Sequence, residues 1–246
     1  TCAGVYTIFP HPNHASLRSL MNCLNDMASV EGSNVPEYLF LANGVHVIED
    51  EDHGRFSPSG IFLANMVNIN IPISIIGESR KHCIVMGGLK MNGTEEDDVN
   101  VTNLTLRDSK CFGVFGDGVS IHLDNVSVEN SQRYGVLVQE NKLSTMKNCN
   151  VSHSKMSGLY VAYGGLMKVD GNGTTIHHNA TNDSIGSYGM ATYSWNSFIH
   201  LASSLTIEMI SMNNGGGGNF GGRGPIAVVD NEGTIIETIQ EAWYNY

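Results

Sequence analysis

Basic residues are scarce in this chain of 246: 13 Lys and Arg stand against 24 Asp and Glu, for a net charge of −11. A protein that neutralises phosphates needs the opposite balance, and no basic stripe restores it locally, so nucleic acid is excluded as a partner. Long apolar runs are also missing. No stretch approaches the roughly 20 residues of a membrane span, and no N-terminal segment has the pattern of a signal peptide. The chain begins at Thr1 without a methionine, as expected where a leader has been removed. The 5 cysteines, Cys2, Cys23, Cys83, Cys111 and Cys149, are odd in number and lack CxxC spacing, which argues against both a disulfide framework and a zinc site. Cys149 reads as a small apolar filler. The run Gly215 to Gly218 lacks the Lys-Ser/Thr ending of a nucleotide loop and reads as a flexible cap or corner. No metal or cofactor is expected.

What the chain does have is repetition. "NLTLRDSKCFGVF" from Asn103, "NVSVENSQRYGVL" from Asn125 and "NCNVSHSKMSGLY" from Asn148 are three copies of one pattern, 22 and 23 residues apart. Ser109, Ser131 and Ser154 hold one position of it, and Gly113, Gly135 and Gly158 another. A unit this short cannot enclose a core alone, so the copies must stack. Within each copy apolar residues alternate: Leu104 and Leu106, Val126 and Val128, Cys149 and Val151 point one way, with Thr105, Ser127 and Asn150 between them. That is a strand period. It resumes at Val114, at Val136 and Val138, and at Leu159 and Val161. "VSIHLDN" adds a third strand with Ile121 and Leu123 inward. Three short strands per turn of about 22–23 residues predict an all-β fold, a single-stranded solenoid of parallel β-helix type.

Other segments thread onto the same coil. "GVHVIED" and "IPISIIGES" read as earlier coils, "GTTIHHNAT" places Thr174 and Ile176 inward, and "SLTIEMISMNNGG" places Leu205 and Ile207 inward. Residues 179 to 198 exceed the period and are expected to bulge as a loop, where recognition often sits. Both ends of a stack need covers. Leu17, Leu20, Met21, Leu24 and Met27 recur at helical spacing after Asn13, a candidate N-cap, and predict a short N-terminal capping helix. Trp243 and Tyr244 are expected to form a lid at the other end. The expected division is a capping segment over 1–35, the coil over 36–222 and a C-terminal cap over 223–246.

Chemistry, if present, belongs on outward faces, where rungs place side chains about 4.8 Å apart. One column reads Asn100, His122, Thr145, Lys168, His200, and its neighbour reads Thr102, Asp124, Lys147, Asp170, Ala202. His122, Asp124, Lys147, Lys168 and Asp170 then share a face that could serve uronate lyase or epimerase chemistry. His122 or Lys147 would be the base, with Asp124 or Asp170 holding a cation. Alternating charge in such a column is also what stability alone would select. Arg107, Glu129, Ser152, His177 and Glu208 form a second mixed column. His177 and His178, adjacent in a strand, are expected on opposite sides. Phe115, Leu137 and Tyr160, beside Tyr163, form an apolar strip suited to a sugar ring or a partner protein. Thr105, Ser127, Asn150, Thr175 and Thr206 make one polar ladder, without the second that ice binding needs. Eight Asn-X-Ser/Thr sequons follow from a coil with Asn at its corners and Ser or Thr on its strands.

The segments "ISIIGESRKHCIVMGGLKMNG", "DDVNVTNLTLRDSK", "SIHLDNVSVENS", "NCNVSHSKMSGL", "GGLMKVDGNGTTIHHN" and "IHLASSLTIEMISMNNGGGGNFGG" together resemble a group of right-handed parallel β-helix proteins of marine microalgae and of the large DNA viruses of such hosts. The resemblance spans roughly residues 36 to 222 and implies the fold. It brings no catalytic residues with it, and an Asp-Pro-His-Glu run of the kind found in β-helix epimerases is absent. The expectation is a non-enzymatic scaffold or recognition module, a structural component of a large-virus particle or an algal surface protein, with other protein subunits or a polysaccharide as partner.

Overall fold

The computed structural model describes residues 6–50 and 65–241. Their strands form three sheets, one ten-stranded and two seven-stranded. Each coil contributes one strand to each sheet in turn, as Asp98–Thr102, Thr105–Arg107 and Val114–Asp117 do for sheets 1, 2 and 3. Pairing between coils is parallel, with Thr105 opposite Ser127 opposite Asn150 and Val114 opposite Val136 opposite Leu159. This is a right-handed parallel β-helix.

The inward positions form one continuous apolar core. Leu104, Leu106, Val126, Val128, Cys149 and Val151 are all buried, as are Ile121 and Leu123 from sheet 1 and Val136, Val138, Leu159 and Val161 from sheet 3. Burial pushes the Cys83 and Cys149 thiols up to about 11, so both remain neutral fillers.

Two corner columns explain the repeated motif. Asn103, Asn125 and Asn148 turn the chain from sheet 1 to sheet 2 with φ of 59°, 54° and 51°, a left-handed conformation that Asn tolerates better than most residues. The first two are joined along the stack, Asn125 Nδ2 donating to Asn103 Oδ1 at 2.6 Å. After sheet 2 the same conformation recurs at Asp108, Asn130, His153, His178 and Asn213. The next residue then points inward: Ser109, Ser131, Ser154 and Asn179 are buried. Gly113, Gly135 and Gly158 sit against that column, and a Cβ on Gly135 would lie 2.8 Å from Ser154 Oγ and 2.5 Å from Val151 Cγ1. The motif's Asn marks the corner between sheets 1 and 2, and its Ser and Gly mark the corner between sheets 2 and 3.

Helix Leu17–Ala28 covers the first coils, burying Leu17, Leu20, Met21 and Leu24. Its N-cap is Ser16 rather than Asn13, the Ser16 side chain accepting from Ser19 N. Asn25 fixes the helix to the first strand of sheet 3, donating to Asn68 O at 2.9 Å and accepting from Asn70 N at 3.0 Å. At the far end, Ile226–Val229 continues sheet 1 in parallel, and Ile235–Gln240 closes it antiparallel. Trp243 and Tyr244 lie outside the described residues.

The expected strand over Leu205 and Ile207 is instead a short helix, Ile207–Ile210, capped by the Thr206 side chain. Ser211–Met212 takes the strand position, opposite Ile176 and His177. Thr206 therefore leaves the polar ladder, and Met212 replaces Glu208 in the mixed column. Residues 179 to 198 are likewise not one loop, because Met190–Thr192 is a strand of sheet 3. The enlargement is confined to the corner between sheets 2 and 3, residues 178–189.

Candidate functional site: a tyrosine-walled cleft on the third sheet

The charged face of sheet 1 has the expected register. Asn100, His122, Thr145, Lys168 and His200 are successive partners, and Thr102, Asp124, Lys147 and Asp170 form the neighbouring column. Both ring nitrogens of His122 are engaged, Nε2 with Asp98 Oδ1 at 3.1 Å and Nδ1 with Thr145 Oγ1 at 2.9 Å. A base in this position would have to break one contact first. Asp170 Oδ1 accepts from Gly171 N at 2.6 Å. Among the described residues, Asp124, Lys147, Lys168 and Asp170 form no ion pair within 4.0 Å, so their alternation is a shared field rather than a chain of bridges. Burial and then the Lys168 ammonium hold the His200 imidazole below its usual range. The enlarged corner at 178–189 joins sheets 2 and 3 and does not wall this face.

The outward ladder of sheet 2 floors a polar trench of about 700 Å³. Its groups satisfy one another: Arg80 Nη1 donates to Asn148 O at 2.9 Å, Arg107 pairs with Glu129 at 2.8 Å, and Asn150 Nδ2 donates to Ser127 Oγ at 3.0 Å.

Sheet 3 departs furthest from the expected strip. Phe115, Leu137 and Tyr160 do stack in register, but Phe115 and Leu137 are buried, at 4% and 5% exposure. Phe112 and Tyr134, the corner residues before Gly113 and Gly135, fold over them. Phe112 lies 5.1 Å from Phe115 between ring centroids, and Tyr134 stacks on Tyr160 at 4.2 Å. Lys90 and Arg133 lie over the rings of Phe115 and Phe112. Those two strip residues are therefore a satellite core, not a binding surface. An aromatic immediately before the glycine, Phe112 and then Tyr134, was the sequence signal for the cover.

The cover changes along the stack. Backbone pairing of the glycines aligns Tyr134, Ser157, Tyr188 and Gly218 in the covering column. The column beneath shrinks in parallel, from Tyr160 to Ala191 to Gly221. Small residues below large walls leave a cleft of about 270 Å³, bounded by Tyr160, Tyr188, Tyr193 and Arg223 over a floor of Ala191, Thr192 and Gly222. Tyr163 stands at its rim with its ring 5.2 Å from Tyr193, and both are largely exposed.

Local backbone explains the walls. The Tyr188 ring lies against Gly217 and Gly221, at positions a Cβ would occupy. The glycine run is therefore a fitted seat for an aromatic ring. Tyr188 N donates to Ser157 Oγ at 2.9 Å. Arg223 N donates to Thr192 O at 2.8 Å, and Thr192 Oγ1 exchanges hydrogen bonds with Gly224 N and O at 2.9 and 2.8 Å. Burial, then the neighbouring Tyr134, push the Tyr160 phenol up, so it stays a hydrogen-bond donor at neutral pH. Tyr188, Tyr193 and Arg223 lie in irregular segments where no period marked them.

A family model described as right handed beta helix region matches residues 87–237, and the chain belongs to that family. No curated protein matches the sequence. Among solved structures, ORF18 of Geobacillus virus E2 is similar at 10% identity with a TM-score of 0.47. The match covers 87% of this chain and 57% of the viral one. Among the described residues no helix is long and apolar enough to cross a membrane.

Proposed function

We propose that this β-helix protein is a non-enzymatic recognition module on a scaffold, and that it takes a sugar ring of a polysaccharide in the cleft of Tyr160, Tyr188, Tyr193 and Arg223. The observation that carries this reading is the step in the covering column, which removes bulk at Ala191 and Gly221 while keeping tyrosines on both sides. Aromatic faces stack on the apolar face of a sugar, phenol hydroxyls meet its rim, and a guanidinium suits a carboxylate or sulfate substituent. The volume is near the lower end of ligand pockets, which fits a single ring rather than a long segment. Exposed Tyr163 extends the aromatic surface along the polymer.

A repetitive stack with such a cleft suits a structural component of a large-virus particle or an algal surface protein. The resemblance of its repeat segments to proteins of those sources supports that setting. The test is a titration with uronate and neutral oligosaccharides followed by isothermal calorimetry. Tyr193→Ala and Arg223→Ala should each weaken binding without altering the fold. Failure of every oligosaccharide to bind the intact protein would remove the reading.

The register of His122, Asp124, Lys147, Lys168 and Asp170 on one face favours a second reading, a polysaccharide lyase or uronate epimerase. It requires an open base and a wall to hold the substrate. His122 is engaged on both nitrogens, and the enlarged corner lies on other sheets, so the recognition reading stands first.

A further inference from the structure

The left-handed corner column after sheet 2 passes through Asn130, His153, His178 and Asn213. A strand would send His177 and His178 to opposite sides, but the φ of 53° at His178 breaks the alternation. The two rings come to one side, and His177 Nδ1 lies 2.7 Å from His178 Nδ1. His153, one coil earlier in the same column, stacks its ring on His178 at 5.4 Å with an interplanar angle of 6°.

The hydrogen bonds fix which nitrogens are free. Asn150 Oδ1 accepts from His177 Nε2 at 2.9 Å, while Asn150 Nδ2 is turned to Ser127 Oγ. With its proton on Nε2, His177 presents a lone pair at Nδ1. The contact with His178 Nδ1 then needs a proton or a cation between the nitrogens. An outer partner on the remote ring nitrogen is the arrangement that orients a metal-ligating histidine.

We propose that His177 and His178 chelate one divalent transition-metal ion through their Nδ1 atoms, and that the site suits copper(II) or nickel(II). Two nitrogens bound cis to one ion at about 2.0–2.1 Å lie roughly 2.9 Å apart when the angle is near 90° and about 3.3 Å apart in a tetrahedron. The observed 2.7 Å puts both Nδ1 atoms within reach of one ion, and for imidazole donors affinity rises through nickel(II) to copper(II) and falls at zinc(II). Met212, the register partner of His177, stands on the same outward column and brings a thioether to the neighbourhood. Among the described residues no three His, Cys, Asp or Glu side chains are set to hold one ion, so the protein supplies two donors and water completes the shell. On binding, the His178 proton passes from Nδ1 to the exposed Nε2 through water. No redox step is involved. The ion would fix the root of the enlarged corner whose far end carries Tyr188.

The test uses the full chain at pH 7.5, titrated with copper(II), nickel(II) and zinc(II). His177→Gln and His178→Asn should each weaken copper(II) binding about 10-fold or more. Asn at 178 keeps the left-handed corner, as Asn130 and Asn213 do. His11→Gln and His14→Gln should leave that equivalent intact, since Asn13 N donates to His11 Nδ1 and His14 Nδ1 meets Ser19 Oγ. Independently of any variant, substoichiometric copper(II) should broaden the ring proton resonances of His177 and His178 first. Wild-type affinity in both variants, or broadening that begins elsewhere, would mean that the pair only shares a proton and would overturn the proposal.

Discussion

Sheets 1 and 3 are built from the same coils with the same parallel register, yet one outward face is open and the other is covered. On sheet 1 the strands connect through tight corners and nothing folds over the two columns, so Asp124 and Lys147 are exposed and His122, Lys168 and Asp170 half-buried. On sheet 3 the longer corner after each left-handed residue carries Phe112 or Tyr134 back across the strands and buries Phe115 and Leu137. Whether an outward residue becomes surface or core is decided by corner length and by the residue before the repeat glycine, not by strand alternation. The cleft arises where that covering residue becomes Ser157 and the column beneath thins.

The largest effect is expected beneath both faces. Val126→Asp places a carboxylate among stacked rungs with no partner, and should cost more than about 4 kcal/mol and unfold the chain, measured by urea denaturation. Leu137→Ala comes next. On a covered face it should cost about 2–5 kcal/mol, whereas an exposed strip would lose little; the same denaturation curve decides. Gly135→Ala should cost about 1–3 kcal/mol, because its Cβ would meet Val151, the Gly158 carbonyl at 2.7 Å and Ser154. At the small end, Lys147→Ala on the open face should stay within about 0.5 kcal/mol, as surface substitutions without an ion pair do. A Lys147→Ala loss as large as that of Leu137→Ala would erase the distinction between the two faces.

Much of this was legible in the sequence because the coil writes its own ruler. Strict alternation at Leu104 and Leu106, Val126 and Val128, and Ile121 and Leu123 set the inward face, and the period set the register of the sheet 1 columns. Asn103, Asn125 and Asn148 announced their corner because Asn accepts the left-handed conformation. His178 did not, since it reads as the next residue of the strand that holds His177, and so two rings assigned to opposite sides share one. Leu205 and Ile207 satisfied a strand period over too few residues to exclude a helix turn, and Thr206 as a cap decided it. Phe115 and Leu137 were correctly outward and wrongly exposed. Ser127 shows the same lesson on sheet 2: it points outward yet is buried, donating to Glu129 at 2.7 Å. Periodicity reports direction, whereas exposure depends on what the irregular corners lay over the strand. The tyrosine walls come from those corners and from a glycine run whose role is to seat a ring.

The proposed recognition lies at the thinned end of the covered face, with no part for the charged face of sheet 1. A single NMR titration of the intact protein with an alginate oligosaccharide tests both halves, with the supernatant assayed for unsaturated uronates. Shifts confined to Tyr160, Tyr163, Tyr188, Tyr193 and Arg223, with no product released, are the predicted result. Shifts centred on His122, Lys147 and Lys168, or release of unsaturated uronates that His122→Ala or Lys147→Ala abolishes, would contradict it.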